Sequence, residues 1–185
     1  MKNSNRLSKL ISLLVSLMTA VTLLTFAAPS ANAASYQRYI PYLQAQGHVQ
    51  NDGWHGVTTA SGGIGVTIGT TGRSLRLESI RIGLCNVPGN IGGIELSAYV
   101  DGVGWKTSKS GYQRMAESGT TGLGLAVEAV KLKLYGPIAN DYDILYSVHL
   151  ANSGWMHRMV SNGAEAGRAG YPCRVEALYV KLVRK

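Results

Sequence analysis

Three tryptophans occur in this chain of 185 residues, and each follows a glycine: Gly53-Trp54, Gly104-Trp105 and Gly154-Trp155, so the indoles recur at 51 and 50 residues. A motif repeated at a fixed period of this size marks a repeat architecture. The recurrence extends past the dipeptide. Each copy continues to a glutamate that opens an apolar segment, in Glu78-Ser-Ile-Arg-Ile-Gly-Leu84, Glu128-Ala-Val-Lys-Leu-Lys-Leu134 and Glu176-Ala-Leu-Tyr-Val-Lys-Leu182, and Gly72, Gly122 and Gly170 each stand six residues before that glutamate. The chain is therefore read as three copies of one unit, at about 40–88, 91–136 and 142–185.

Upstream of each Trp the apolar residues alternate. Leu43, Ala45, Gly47 and Val49 are matched by Ile94, Leu96, Ala98 and Val100, and by Ile144, Tyr146, Val148 and Leu150. Period two is the signature of a half-buried strand, which places His48, Tyr99 and His149 on the opposite face. The Asn-Asp-Gly, Gly-Val-Gly and Asn-Ser-Gly that follow supply the positive φ angles of tight turns. With 23 glycines and no helical period after the N-terminal segment, the class is all-β. Since no copy of about 50 residues can bury its apolar face alone, three should close with pseudo-threefold symmetry. Two long strands per copy favour a β-prism-like arrangement, with a β-trefoil as the alternative.

Residues 1–33 read as a signal peptide: Lys2, Arg6 and Lys9 form a basic start, Leu10 to Ala28 is uncharged, and Ala31-Asn32-Ala33 has the small residues of a cleavage site. The apolar run could also anchor in a membrane, but Pro29 and the small residues beyond it favour cleavage, leaving residues 34–185 as one secreted domain with no membrane segment. Removing three of the 18 basic residues lowers the net charge from +8 to +5. The remaining positive charge is scattered, which argues against a nucleic-acid partner and fits weak attraction to anionic surfaces such as cell walls. Export would permit a disulfide between Cys85 and Cys173, the two cysteines present. Equally, both could be small buried hydrophobes.

At these positions the chain resembles the clostridial hydrophobic repeat with its characteristic Trp, the ChW repeat. The resemblance rests on His48-Val-Gln-Asn-Asp-Gly-Trp54 in copy one, on Gly119-Thr-Thr-Gly122 and Val127-Glu-Ala-Val-Lys-Leu-Lys-Leu134 in copy two, and on Ser161-Asn-Gly-Ala-Glu-Ala-Gly167 with Val175-Glu-Ala177 in copy three. Copy one departs from it in residues 58–65, and copy two has Tyr99 where the others have His. The resemblance implies a secreted or surface-associated bacterial module without assigned enzymatic activity that binds carbohydrate or protein.

The residues themselves offer little catalytic chemistry. Asp141 and Asp143 fall in a turn-like Asn-Asp-Tyr-Asp, no nucleophile elbow or phosphate loop is present, and His48, His55, His149 and His157 lack a metal-ligand spacing. No catalytic residue, metal or cofactor is expected. Glu78, Glu128 and Glu176 read as structural, because a carboxylate beside an apolar face needs hydrogen bonds from loop N–H groups or from the indole. For Trp54, Trp105 and Trp155 two roles compete: core anchors that position the following loop, which we expect, or platforms that stack on sugar rings. Together with His48, Tyr99 and His149 they form the candidate ligand-binding set. The expected function is non-catalytic recognition of a glycan or cell-surface protein. The alternatives are a secreted hydrolase with its site in loops 57–71 and 135–143, or a structural matrix component.

Overall fold

A computed structural model describes residues 39–61 and 63–185. The signal-peptide expectation falls on residues outside this set. Copy one contributes strands β1 (Tyr42–Val49), β2 (Gly53–Trp54), β3 (Thr58–Ser61), β4 (Val66–Gly69) and β5 (Leu77–Cys85). Copy two contributes β6 (Gly93–Val100), β7 (Gly104–Lys109), β8 (Ala116–Gly119) and β9 (Val127–Tyr135). Copy three contributes β10 (Tyr142–Leu150), β11 (Gly154–Trp155), β12 (Val160–Ser161), β13 (Ala166–Gly167) and β14 (Val175–Arg184), and one helical turn, α1 (Ile138–Asp141), precedes it.

Each copy pairs its two long strands antiparallel, β1 with β5, β6 with β9 and β10 with β14, because each carries an apolar stripe of period two that only a shared inner face can bury. Three separate sheets result, with no closed barrel, so the arrangement is the prism-like one and not the trefoil. Leu43, Ile80 and Ile82 from the first sheet, Ile94, Leu96 and Leu132 from the second, and Ile144, Tyr146 and Leu178 from the third lie in one fully buried core.

The sheets are not self-contained. Each copy gives its short middle strand to a neighbour: β8 of copy two pairs with β5 of copy one, β13 of copy three with β9 of copy two, and β4 of copy one with β14 of copy three. The exchange is cyclic, so the first copy is tied to the last. The register is the same in each case, with Gly119 opposite Ser79, Gly167 opposite Ala129 and Gly69 opposite Ala177. These three glycines have φ of +127°, +98° and +88°, and a Cβ on any of them would strike the backbone carbonyl of Glu78, Glu128 or Glu176. Just beyond, the N–H groups of Thr120, Arg168 and Thr70 donate to those same carbonyls at 2.7, 3.1 and 2.9 Å. Glycine is thus required where one copy's backbone enters the sheet of the next.

The possible disulfide does not form. Cys85 and Cys173 are both free. Arg174 Nη2 donates to the Ser74 carbonyl at 3.2 Å, which places Cys173 near the beginning of β5, whereas Cys85 ends that strand. Eight residues at ~3.3 Å each separate those ends by about 26 Å, against the ~7 Å between Cα atoms that a disulfide tolerates.

Candidate functional site: the outer tryptophan ledges

Each Trp is the second residue of the strand after its turn and pairs with the residue six before it, Trp54 with His48, Trp105 with Tyr99 and Trp155 with His149. The turns need positive φ at Gly53 (+75°), Gly104 (+94°) and Gly154 (+75°), which glycine adopts without penalty. Paired residues share a face, and this is the outer one. The rings meet edge to face in all three copies, with centroids 5.3, 5.4 and 5.5 Å apart and planes inclined at 79°, 78° and 82°.

This arrangement corrects the core-anchor expectation. Trp54 is half-buried, Trp105 is 38% exposed and Trp155 41%, and none belongs to the core. Each is a ledge fixed on the outside of its sheet. The error arose because a Trp held in a repeated backbone position looks the same in sequence whether its ring turns inward or outward.

Behind each ledge sits the repeat's glutamate, 4–5% exposed. Strict alternation would turn it into the core with the apolar residues that follow. Instead the ladder slips there: Leu77 pairs with Val49 and Ser79 with His48, leaving Glu78 as an extra residue, and Glu128 and Glu176 occupy the same bulge. A bulge re-aims a side chain, here toward the ring beneath the Trp. Glu78 Oε2 lies 3.0 Å from His48 Nδ1 and Glu176 Oε2 lies 3.3 Å from His149 Nδ1, both off the line a hydrogen bond needs.

The hydrogen bonds come from elsewhere. Arg76 donates to Glu78 Oε1 from Nε at 3.0 Å and Nη2 at 2.7 Å, and Arg174 Nη2 donates to Glu176 Oε1 at 3.0 Å. Copy two has lost both of these neighbours together, with Ala126 in place of the arginine and Tyr99 in place of the histidine. There the Gly170 N–H donates to Glu128 Oε2 at 2.9 Å, as the loop-donor reading expects, while burial pushes the Glu128 carboxyl above its ordinary value. Sequence reasoning missed the arginines, although a basic residue two before the glutamate in two copies was visible.

The split leads to a prediction. Glu176→Gln should destabilise the domain by about 2 kcal/mol, since charge-assisted hydrogen bonds are worth roughly 1.5–3 kcal/mol. Glu128→Gln should cost less, because the amide oxygen still accepts from Gly170. The pH dependence should also differ. A carboxyl with a folded-state pKa above its unfolded value favours the fold at low pH and loses that contribution as pH rises through the folded value, so Glu128→Gln should flatten this fall. Melting both variants across the acid range checks the order; a larger loss for Glu128→Gln would contradict it.

Above the ledges the three sheets differ. On the first, Arg81 lies over the Trp54 ring with Cζ 3.9 Å from its centre, and its Nε donates to Glu117 of copy two at 2.8 Å. On the second, Lys131 Nζ stands 4.0 Å from the centre of Trp105 and 3.5 Å from Glu165 Oε2 of copy three. On the third, the equivalents of the cation and the acid are Tyr179 and Thr67, which pair across β14 and β4. Trp155, Tyr179, Thr67 and Ser147 line a pocket of about 380 Å³ there.

Among the described residues no group of three or more His, Cys, Asp or Glu could hold a metal ion. The loops considered for a hydrolase site carry the paired strands β3 and β4 and the helical turn α1. A threefold-repeated all-β domain with a Trp, an aromatic partner and a bulged glutamate in every copy is the class that fold and site define. The family described as ChW, Clostridial hydrophobic W, matches at residues 48–86, 99–136 and 149–184, and the chain belongs to it. No curated protein and no solved structure matches.

Proposed function

We propose that this chain is an exported, non-catalytic binding protein that works at a bacterial cell surface or in the surrounding medium, where it recognises a glycan. The observation that carries this reading is the outward setting of the tryptophans. Three indoles are fixed by edge contacts to His48, Tyr99 and His149, while the core fills without them. An aromatic ring set on the outer face and outside the core is a platform for the C–H face of a sugar. The basic, uncharged and small-residue order of residues 1–33 supports export.

The test is retention on insoluble cell-wall and polysaccharide preparations. The full domain should be retained and the triple variant Trp54→Ala/Trp105→Ala/Trp155→Ala should pass through. Stability should fall only modestly, by about 1–2 kcal/mol at Trp54 and Trp105 for the lost edge and cation–π contacts and by about 1 kcal/mol at Trp155 for the edge contact alone, well short of the roughly 3–5 kcal/mol of a core Trp. Release of soluble products would point to the hydrolase, and retention abolished by prior protease treatment of the wall would point to a surface protein as the partner.

A further inference from the structure

The three ledges are equivalent in backbone but not in what lies above the indole. Across the first sheet run Gln46, Arg81 and Glu117, one strand apart and on the outer face. Arg81 covers Trp54, binds Glu117 and reaches Gln46 Oε1 at 3.4 Å. Its stacking surface and nearby polar groups therefore satisfy one another. The second sheet repeats the scheme with Lys131 between Trp105 and Glu165. In both, the ion pair joins two copies, so the lid is built by the strand exchange itself.

On the third sheet the same row reads Ser147, Tyr179 and Thr67. No formal charge remains in it, and the ring of Trp155 has no cation above it among the described residues. The Tyr179 ring lies against the bare backbone of Gly65, where a Cβ would collide with it. Ser147 is 5% exposed, and its Oγ has no hydrogen-bond partner in the protein. A buried hydroxyl left unpaired is unusual, and of the three serine and threonine hydroxyls in that state among the described residues, on Thr70, Thr120 and Ser147, the one on Ser147 belongs to a residue lining this pocket. The pocket these residues line, about 380 Å³, lies at the small end of the ~300–1,000 Å³ of ligand sites.

We propose, building on the glycan reading above, that the third sheet alone carries the ligand site, and that Trp155, Tyr179, Ser147 and Thr67 bind a neutral sugar ring, one per chain. Two aromatic rings supply stacking surface for the ring's C–H face, and two hydroxyls match its hydroxyl groups. An uncharged lining gives no preference for a uronic acid or a phosphate. The first two ledges are closed by their own Arg81–Glu117 and Lys131–Glu165 pairs.

The experiment uses the full domain carrying Trp54→Phe and Trp105→Phe, which leaves Trp155 as its one indole reporter. It is titrated with β-1,4-linked hexamers of glucose, xylose and N-acetylglucosamine, with a galacturonic acid hexamer as the charged comparison. A saturable change in Trp155 emission with a neutral hexamer, at one equivalent per chain, is expected. Tyr179→Arg with Thr67→Glu rebuilds the lid of the first sheet and should weaken binding at least about tenfold, or 1.4 kcal/mol, at unchanged melting temperature. Arg81→Ala should leave binding intact. In calorimetric titrations of the otherwise unsubstituted domain, binding that survives Trp155→Ala but disappears in Trp54→Ala or Trp105→Ala, or a stoichiometry of three, would overturn this site while leaving glycan recognition standing. A preference for the galacturonic acid hexamer overturns the neutral-ligand assignment. If no hexamer alters emission and no cell-wall preparation retains the chain, both the site and the broader reading fall.

Discussion

Gly119→Ala is expected to lower the stability of the whole domain by about 3–5 kcal/mol, a large part of the 5–15 kcal/mol typical of a folded domain. Two effects combine. The residue holds φ at +127°, and its new Cβ would lie 2.5 Å from Ser79 Cα as well as against the Glu78 carbonyl. Backbone strain of that kind costs about 1–3 kcal/mol, and forcing an extra carbon into packed backbone adds about 1–3 kcal/mol. The two nearest obstacles are main-chain atoms of β5, so no side-chain rotation can relieve the clash. Gly122→Ala is the matched control, because Gly122 has φ of +71° with nothing within 4 Å of the added carbon, and it should cost only the ~1–2 kcal/mol of a left-handed residue. Thermal melting of the two variants decides the matter; equal losses would show that strand exchange does not depend on glycine.

The contrast between these glycines also shows what the sequence could and could not convey. Both belong to the Gly119-Thr-Thr-Gly122 that marks copy two, and the string alone does not say which serves a turn and which serves a junction. The long strands were legible because burial on one face writes a period of two into β1, β6 and β10. The three-sheet closure followed from the repeat. The strand exchange did not, since β8 and β13 are four and two residues long and their partners lie in another copy. Likewise, alternation assigns Glu78 to the inner face, and only the slipped register of the bulge brings its carboxylate beside His48. The candidate set of Trp, His and Tyr does come together in each copy. What stayed hidden was the sheet-to-sheet difference, because Arg81, Lys131 and Tyr179 acquire meaning only beside Glu117, Glu165 and Thr67 from other copies.

That dependence between copies makes a shortened chain the sharper test of the architecture. Removing residues 142–185 should abolish the fold altogether, not leave two-thirds of it. In an open solenoid each repeat touches only its neighbours, and loss of a terminal repeat subtracts one interface. Here the loss takes β14 from β4 and β13 from β9 at once, so both remaining copies are left incomplete. It also removes Ile144, Tyr146, Leu178 and Val180 from a single shared core, and a pair of copies exposing that face has too little buried surface to offset chain entropy. Residues 34–141 should therefore show no cooperative thermal transition and rapid proteolysis. Addition of residues 142–185 as a separate peptide should restore both the transition and the protection, because strands that exchange between copies do not require a continuous chain. A cooperative transition from residues 34–141 alone would mean that the copies stand independently and that the cyclic exchange is not what holds the domain together.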